Sequence, residues 1–251
     1  LPELETGPDE VDVEHIVLTG VDGQAVDAIH ARPDGFPKGG LVLHPDIMGL
    51  RPLFDDLCRR LATHGFAVCA PEPFARAPVD VVAAPDPSAR MAYVKELDDD
   101  LQLGDLEIAA DYLVVHDDVS EVAVMGFCMG GMQVLKAAAT GRFDRAVAFY
   151  GMIRVPEGWV GPKTRDPLES AADVCPTLAI FGGLDSYSPQ PDIDALRAAW
   201  ANRPDCEIVV YGEADHGFVH APERPAHRAE DAADAWRRTL AFLRPDEARK
   251  A

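Results

Sequence analysis

The chain has 251 residues, 47% of them apolar, with 43 acidic side chains against 23 basic ones and a formal net charge of −20. The apolar share and the mixed charge exclude a disordered chain, and so negative a balance excludes nucleic acid or an anionic membrane as partner. The length suits one α/β domain, 1–251, with a sizeable core, whose acidity reads as a solvated surface that repels anionic ligands unless local arginines reverse the field.

The first elements read as a hairpin, His15–Thr19 and Ala25–His30 around Val21-Asp22-Gly23-Gln24. A loop over 33–40 leads to a buried strand, Leu41–His44. Pro52–His64 carries Leu53, Leu57 and Leu61 at helical spacing, and Gly65 marks its end. Phe66–Ala70 is the next strand. Residues 71–87, rich in Pro, Asp and Val, form a long loop of the kind that lids are made from. Helices are predicted at Ser88–Leu97 and Asp105–His116, then an apolar strand, a helix to Thr140 and a strand at Arg145–Tyr150. Residues 151–170 are loop-rich, with Trp159 a candidate pocket wall, and further strand–helix–strand units lead to a final helix at Ala226–Leu243. This alternation predicts a mostly parallel central sheet with helices on both faces and an N-terminal antiparallel hairpin. No internal repeat, linker or second core is apparent.

The chemistry concentrates in Val122-Ala123-Val124-Met125-Gly126-Phe127-Cys128-Met129-Gly130-Gly131. An apolar strand runs into Gly-x-Cys-x-Gly and then into a helix, the pattern of a nucleophile elbow with cysteine in place of serine. Small residues are needed at Gly126 and Gly130 because strand end and helix start nearly touch there. A buried core cysteine is the plainer reading of Cys128 alone. Two later segments add partners. The run Pro176–Phe181 ends in Gly182-Gly183-Leu184-Asp185, and Cys206–Tyr211 ends in Gly212-Glu213-Ala214-Asp215-His216-Gly217-Phe218. Asp185 could simply cap a turn, and His216 could be a solvated loop residue. Together with Cys128 they stand at three strand ends, where catalytic side chains of open α/β sheets gather.

These residues resemble the dienelactone hydrolase family, small Cys-Asp-His members of the α/β-hydrolase fold. The likeness runs from about Gly39 to Leu243 and includes Pro45-Asp46-Ile47-Met48-Gly49, Pro71-Glu72-Pro73-Phe74, Gly104-Asp105-Leu106-Glu107 and His216-Gly217-Phe218. It implies a cofactor-free hydrolase with Cys128 as nucleophile, His216 as base and Asp185 orienting the ring. A free thiol has a pKa of about 8.5, so the thiolate needs the helix N-terminus at Met129 and an imidazolium at His216. The N–H of Met129 is one expected oxyanion donor; by resemblance the other is that of Ile47. The family has Glu at the position of Asp46, where it engages the resting thiol; Asp is one methylene shorter. The family holds a substrate carboxylate with two arginines and a nearby tyrosine. Tyr93 matches the tyrosine and Arg90 lies one helical turn before it, while His220 stands where the second arginine is expected, a weaker carboxylate ligand. Arg76 and Arg224 are candidates to compensate.

A thiolate leaves a tetrahedral intermediate more readily than an alkoxide does, so the expected substrates are enol lactones and activated esters. The family's reaction is dienelactone plus water to maleylacetate. A broader carboxylesterase or thioesterase with the same triad is the alternative; a silent ligand-binding relative or a redox-sensing thiol is less suited to an intact triad without a resolving cysteine beside Cys128. Cys58, Cys69, Cys128, Cys175 and Cys206 are odd in number and lack framework spacing, which suits reduced thiols of a cytoplasmic protein. No CxxC or paired-His spacing points to a metal such as zinc. The acidic opening Leu-Pro-Glu-Leu-Glu-Thr lacks the apolar core of a signal peptide, and no apolar run approaches the roughly 18 residues of a membrane span. A soluble monomer or small homo-oligomer acting on a small ester or lactone is the expectation.

Overall fold

The computed structural model describes residues 3–243. In chain order the elements are β1 (Val11–Thr19), β2 (Ala25–Pro33), β3 (Gly39–His44), α1 (Pro52–Ala62), β4 (Phe66–Pro71), α2 (Val79–Val82), α3 (Ser88–Tyr93), α4 (Asp99–His116), β5 (Val122–Phe127), α5 (Met129–Ala137), β6 (Arg145–Phe149), β7 (Thr177–Gly182), α6 (Gln190–Ala199), β8 (Cys206–Tyr211) and α7 (Ala229–Leu243). They build an eight-stranded sheet in the order β1-β2-β4-β3-β5-β6-β7-β8. β1 and β2 pair antiparallel, β2 joins β4 antiparallel, and every later neighbour is parallel. This is the mostly parallel sheet that the alternation predicts, in the α/β-hydrolase arrangement that the family resemblance implies.

Strands buried on both faces read as unbroken apolar runs, since neither side meets water. β4, β5 and β7 are buried at every position. One face packs on α1 and α7 through Phe54, Leu57, Leu61 and Trp236. The other packs on α4, α5 and α6 through Leu106, Ala110, Val134 and Leu196. A third apolar cluster, with Phe74, Val94, Met129, Met132, Met152 and Trp159, ties the segment after β4 to the start of α5.

Several boundaries differ from the sequence reading. α4 begins at Asp99, six residues before the predicted start, because Asp98 caps it by accepting the Asp100 N–H. Gly104 is no helix breaker here: a Cβ there would meet Val21 Cγ1 at 2.5 Å, so it lets the β1–β2 turn pack on the helix. The predicted helix at Ser88–Leu97 stops at Tyr93 and tightens into a 3₁₀ turn, Val94–Glu96. The loop over 71–87 contains the short helix α2. Among the described residues no helix is long and apolar enough to cross a membrane.

Candidate active site

Cys128 occupies the turn between β5 and α5, with φ 58° and ψ −119°. Few non-glycine residues adopt such angles, and the strain has to be held by the surroundings. The Cys128 N–H donates to the Phe149 carbonyl at 3.0 Å, and its own carbonyl accepts from the Met132 N–H at 3.0 Å. The crowding predicted from the sequence is present: a Cβ on Gly126 would lie 2.5 Å from the Gly130 oxygen, and one on Gly130 would lie 2.3 Å from the His44 oxygen. The turn therefore closes only with both side chains absent.

Asp185 follows β7 and His216 follows β8, so both reach the edge of the sheet that carries Cys128. His216 Nδ1 lies 2.8 Å from Asp185 Oδ2. The other Asp185 oxygen accepts the Tyr187 N–H at 2.8 Å, and the carboxylate is fully buried. Cys128 lines the same cavity as His216 and acts on its ring. Burial opposes charge on this ring, but Cys128 and Asp185 outweigh it and push the imidazole up to about 10. The structure thus brings the three predicted side chains together, with Asp185 hydrogen-bonded to His216 and Cys128 on the same cavity as that ring. Tyr187 lies tilted over the His216 ring at 4.9 Å, and Tyr150 meets it edge-on at 5.2 Å.

Cys128 and His216 open onto a cavity of about 200 Å³. Its walls are mostly apolar, with Ile47, Pro87, Met91, Met152 and Trp159, and Arg224 is the cation on its rim. The Arg224 guanidinium lies over Gly217, where a Cβ would come within 2.5 Å of Nη1 and φ is +79°. A larger groove of about 380 Å³ by Lys136 and Arg165 includes none of the three side chains. Met129 is the first residue of α5, so its N–H has no partner within the helix.

Other predicted site residues land elsewhere. Asp46 does not turn to the thiol: Oδ1 accepts from Met48 N–H and Arg51 at 2.9 and 2.7 Å, and Oδ2 from Arg51 and His220 at 2.8 and 2.6 Å. A bidentate arginine claims both oxygens. His220, expected to hold a carboxylate, is fully buried; Nε2 donates to Asp46 and Nδ1 accepts the Tyr150 hydroxyl proton. Burial keeps this ring neutral and the Tyr150 hydroxyl protonated, whereas His220 and Arg51 hold Asp46 ionised despite its burial. Arg90 is buried too, bonding the Val82 and Ala84 carbonyls and covering the Phe74 ring, so it pins the segment with α2 instead of facing the cavity. The Tyr93 hydroxyl bonds the Arg76 carbonyl at 3.4 Å. The Arg76 guanidinium is taken by Asp22 and Asp105. Of the basic groups considered from sequence for carboxylate binding, Arg224 is the one on the cavity.

Residues 26–246 match the dienelactone hydrolase family. The chain belongs to this family. A protein of Escherichia coli O157:H7 named "Putative carboxymethylenebutenolidase" is 33% identical over 94% of this chain and 89% of its own length. The carboxymethylenebutenolidase of Rhodococcus opacus is 31% identical over 94% of this chain and 92% of its own. The crystal structure of a "Putative Dienelactone Hydrolase" from Klebsiella pneumoniae superposes with a TM-score of 0.85 at 30% identity, covering 94% of this chain and 99% of that one. Membership of the dienelactone hydrolase family makes the chain a carboxylic ester hydrolase.

Tyr187, Met91, Met152 and Tyr150 border the site and were not singled out from sequence. Tyr187 carried a signal, since an aspartate accepting the N–H two residues on is a common turn. The two methionines carried none, because apolar residues at loop positions do not announce which cavity they line.

Proposed function

We propose that the chain hydrolyses enol lactones and activated esters by thiolate attack from Cys128. His216 carries the proton, Asp185 fixes the ring, and the Met129 and Ile47 N–H groups receive the oxyanion. The observation that carries this reading is the Asp185–His216 hydrogen bond with Cys128 and His216 lining one cavity. Attack forms a carbon–sulfur bond and a tetrahedral oxyanion; its collapse expels an enolate or phenolate, which takes up a proton. The thioester left on Cys128 is then hydrolysed by water that gives a proton to His216. Simple alkoxides leave less readily than the thiolate, so ordinary alkyl esters fall back to substrate.

A broader esterase or thioesterase is the second reading, and the cavity favours it. His220, Arg90 and Arg76 are committed elsewhere, so a substrate carboxylate would rely on Arg224. Rates on dienelactone, p-nitrophenyl acetate, ethyl acetate and an acyl thioester separate the readings. Thiolate chemistry predicts that the aryl ester far outpaces the ethyl ester; equal kcat/KM for those two contradicts it. If dienelactone is the better substrate, Arg224→Ala raises its KM and leaves that of the aryl ester in place.

A further inference from the structure

Far from the triad, the last turn of α4 meets the β1–β2 hairpin at a cluster of His30, His116, Asp117 and Glu14. We propose that His30, His116 and Asp117 bind one divalent transition-metal ion of the zinc class. Their donor atoms all lie within 4.8 Å of one another. His30 Nε2 is 2.9 Å from Asp117 Oδ2, and His116 Nδ1 is 3.3 Å from Asp117 Oδ1. A tetrahedral ion with bonds of 2.0–2.1 Å keeps its ligands about 3.3 Å apart. Two imidazoles and one carboxylate suit zinc, with a fourth position left to water, better than they suit calcium or magnesium.

The surroundings are arranged as such a site requires. Glu14 stands opposite His30 in the β1–β2 ladder and lies 3.0 Å from His30 Nδ1. A carboxylate at one imidazole nitrogen directs the other toward the metal, a recurrent support of zinc-bound histidines. Tyr112 stacks on the His116 ring at 4.9 Å and fixes its plane. His30 and Asp117 are buried and His116 is 43% exposed, which leaves an entry path. The negative end of the α4 dipole favours a cation there. Arg32, 3.6 Å from Asp117, is the competing charge; at 39% exposed it can turn to solvent when an ion binds. Spacing along the chain offers no hint of the cluster, since His30 and Asp117 are 87 positions apart.

The test is calorimetric titration of zinc chloride into the chelator-stripped full chain, with cobalt(II) absorption as a second reading. One ion per chain is expected, with a raised melting temperature and tetrahedral cobalt bands free of thiolate charge transfer. Affinity falls by about tenfold or more in Glu14→Gln and further in His116→Ala, and is unchanged in Cys128→Ser. Absence of one-to-one binding, binding that survives His116→Ala, or binding lost in Cys128→Ser overturns the proposal. Should His116→Ala fail to fold, the wild-type cobalt spectrum decides: thiolate bands or no tetrahedral bands reject the site.

Discussion

Two aspartate–histidine pairs sit side by side in this molecule and behave oppositely. Asp185–His216 and Asp46–His220 have similar contacts, 2.8 and 2.6 Å, and both imidazoles are buried or nearly so. His216 is pushed up to about 10, while His220 is driven below the usual histidine range. Burial opposes charge on both rings, and the charges nearby decide whether it is outweighed. His216 has Cys128 beside it, and among the described residues no arginine pairs with Asp185. His220 has the Tyr150 hydroxyl on its far side, and Arg51 already neutralises Asp46. Asp46 still pulls His220 upward, but burial outweighs it and the Arg51 and Arg224 charges add to the lowering. Tyr150 joins the pairs, touching the His216 ring with its edge and His220 with its hydroxyl.

The largest effect is expected where the first pair is broken. His216→Ala should lower kcat/KM for an aryl ester by at least about 10²-fold, and Asp185→Asn by about 10²–10⁴-fold, read from steady-state kinetics. Equal losses in His220→Gln would erase the distinction between the pairs. Breaking the second pair should instead cost stability. Asp46→Ala leaves Arg51 without its carboxylate and His220 without an acceptor; loss of one partner of a buried pair costs about 3–5 kcal/mol, measurable by urea unfolding. Tyr150→Phe removes one buried donor and should cost about 1–3 kcal/mol.

Protonation sharpens the contrast. His216 has a folded value near 10, above its ordinary 6.5, so its charge stabilises the fold fully below about 6.5 and that contribution is lost as pH rises through about 10. His220, held neutral, contributes in the opposite sense: its stability is present above the ordinary value and lost on acidification. Histidine ring resonances followed from pH 5 to 10.5 should show His216 titrating at the alkaline end and His220 silent at neutral pH. A His216 midpoint near 6.5 would remove the electrostatic account of the site.

The sequence made the first pair legible and hid the second. Gly-x-Cys-x-Gly, a strand ending in Asp185 and a strand ending in His216 each have a local pattern, and parallel strands bring such ends to one edge. The hairpin, the central strands and α1 were readable for the same reason, through apolar runs and period. Asp46–His220 spans 174 positions, and nothing near either residue announces the other. Arg90 misled because its place one turn before Tyr93 said nothing of burial, and the carbonyls that claim it belong to a segment without a periodic pattern. The start of α4 was missed because Gly104 reads as a breaker until the hairpin turn packed on it is seen.

Cys128 is proposed as the reacting nucleophile, and alkylation probes that role without an intermediary. Sub-stoichiometric iodoacetamide, peptide mapping and residual aryl-ester hydrolysis can be followed on one sample. Label should enter Cys128 ahead of Cys58, Cys69, Cys175 and Cys206, activity should fall in step with it, and Cys128→Ala should be inactive. Hydrolysis that persists after complete labelling of Cys128, or in Cys128→Ala, would contradict it.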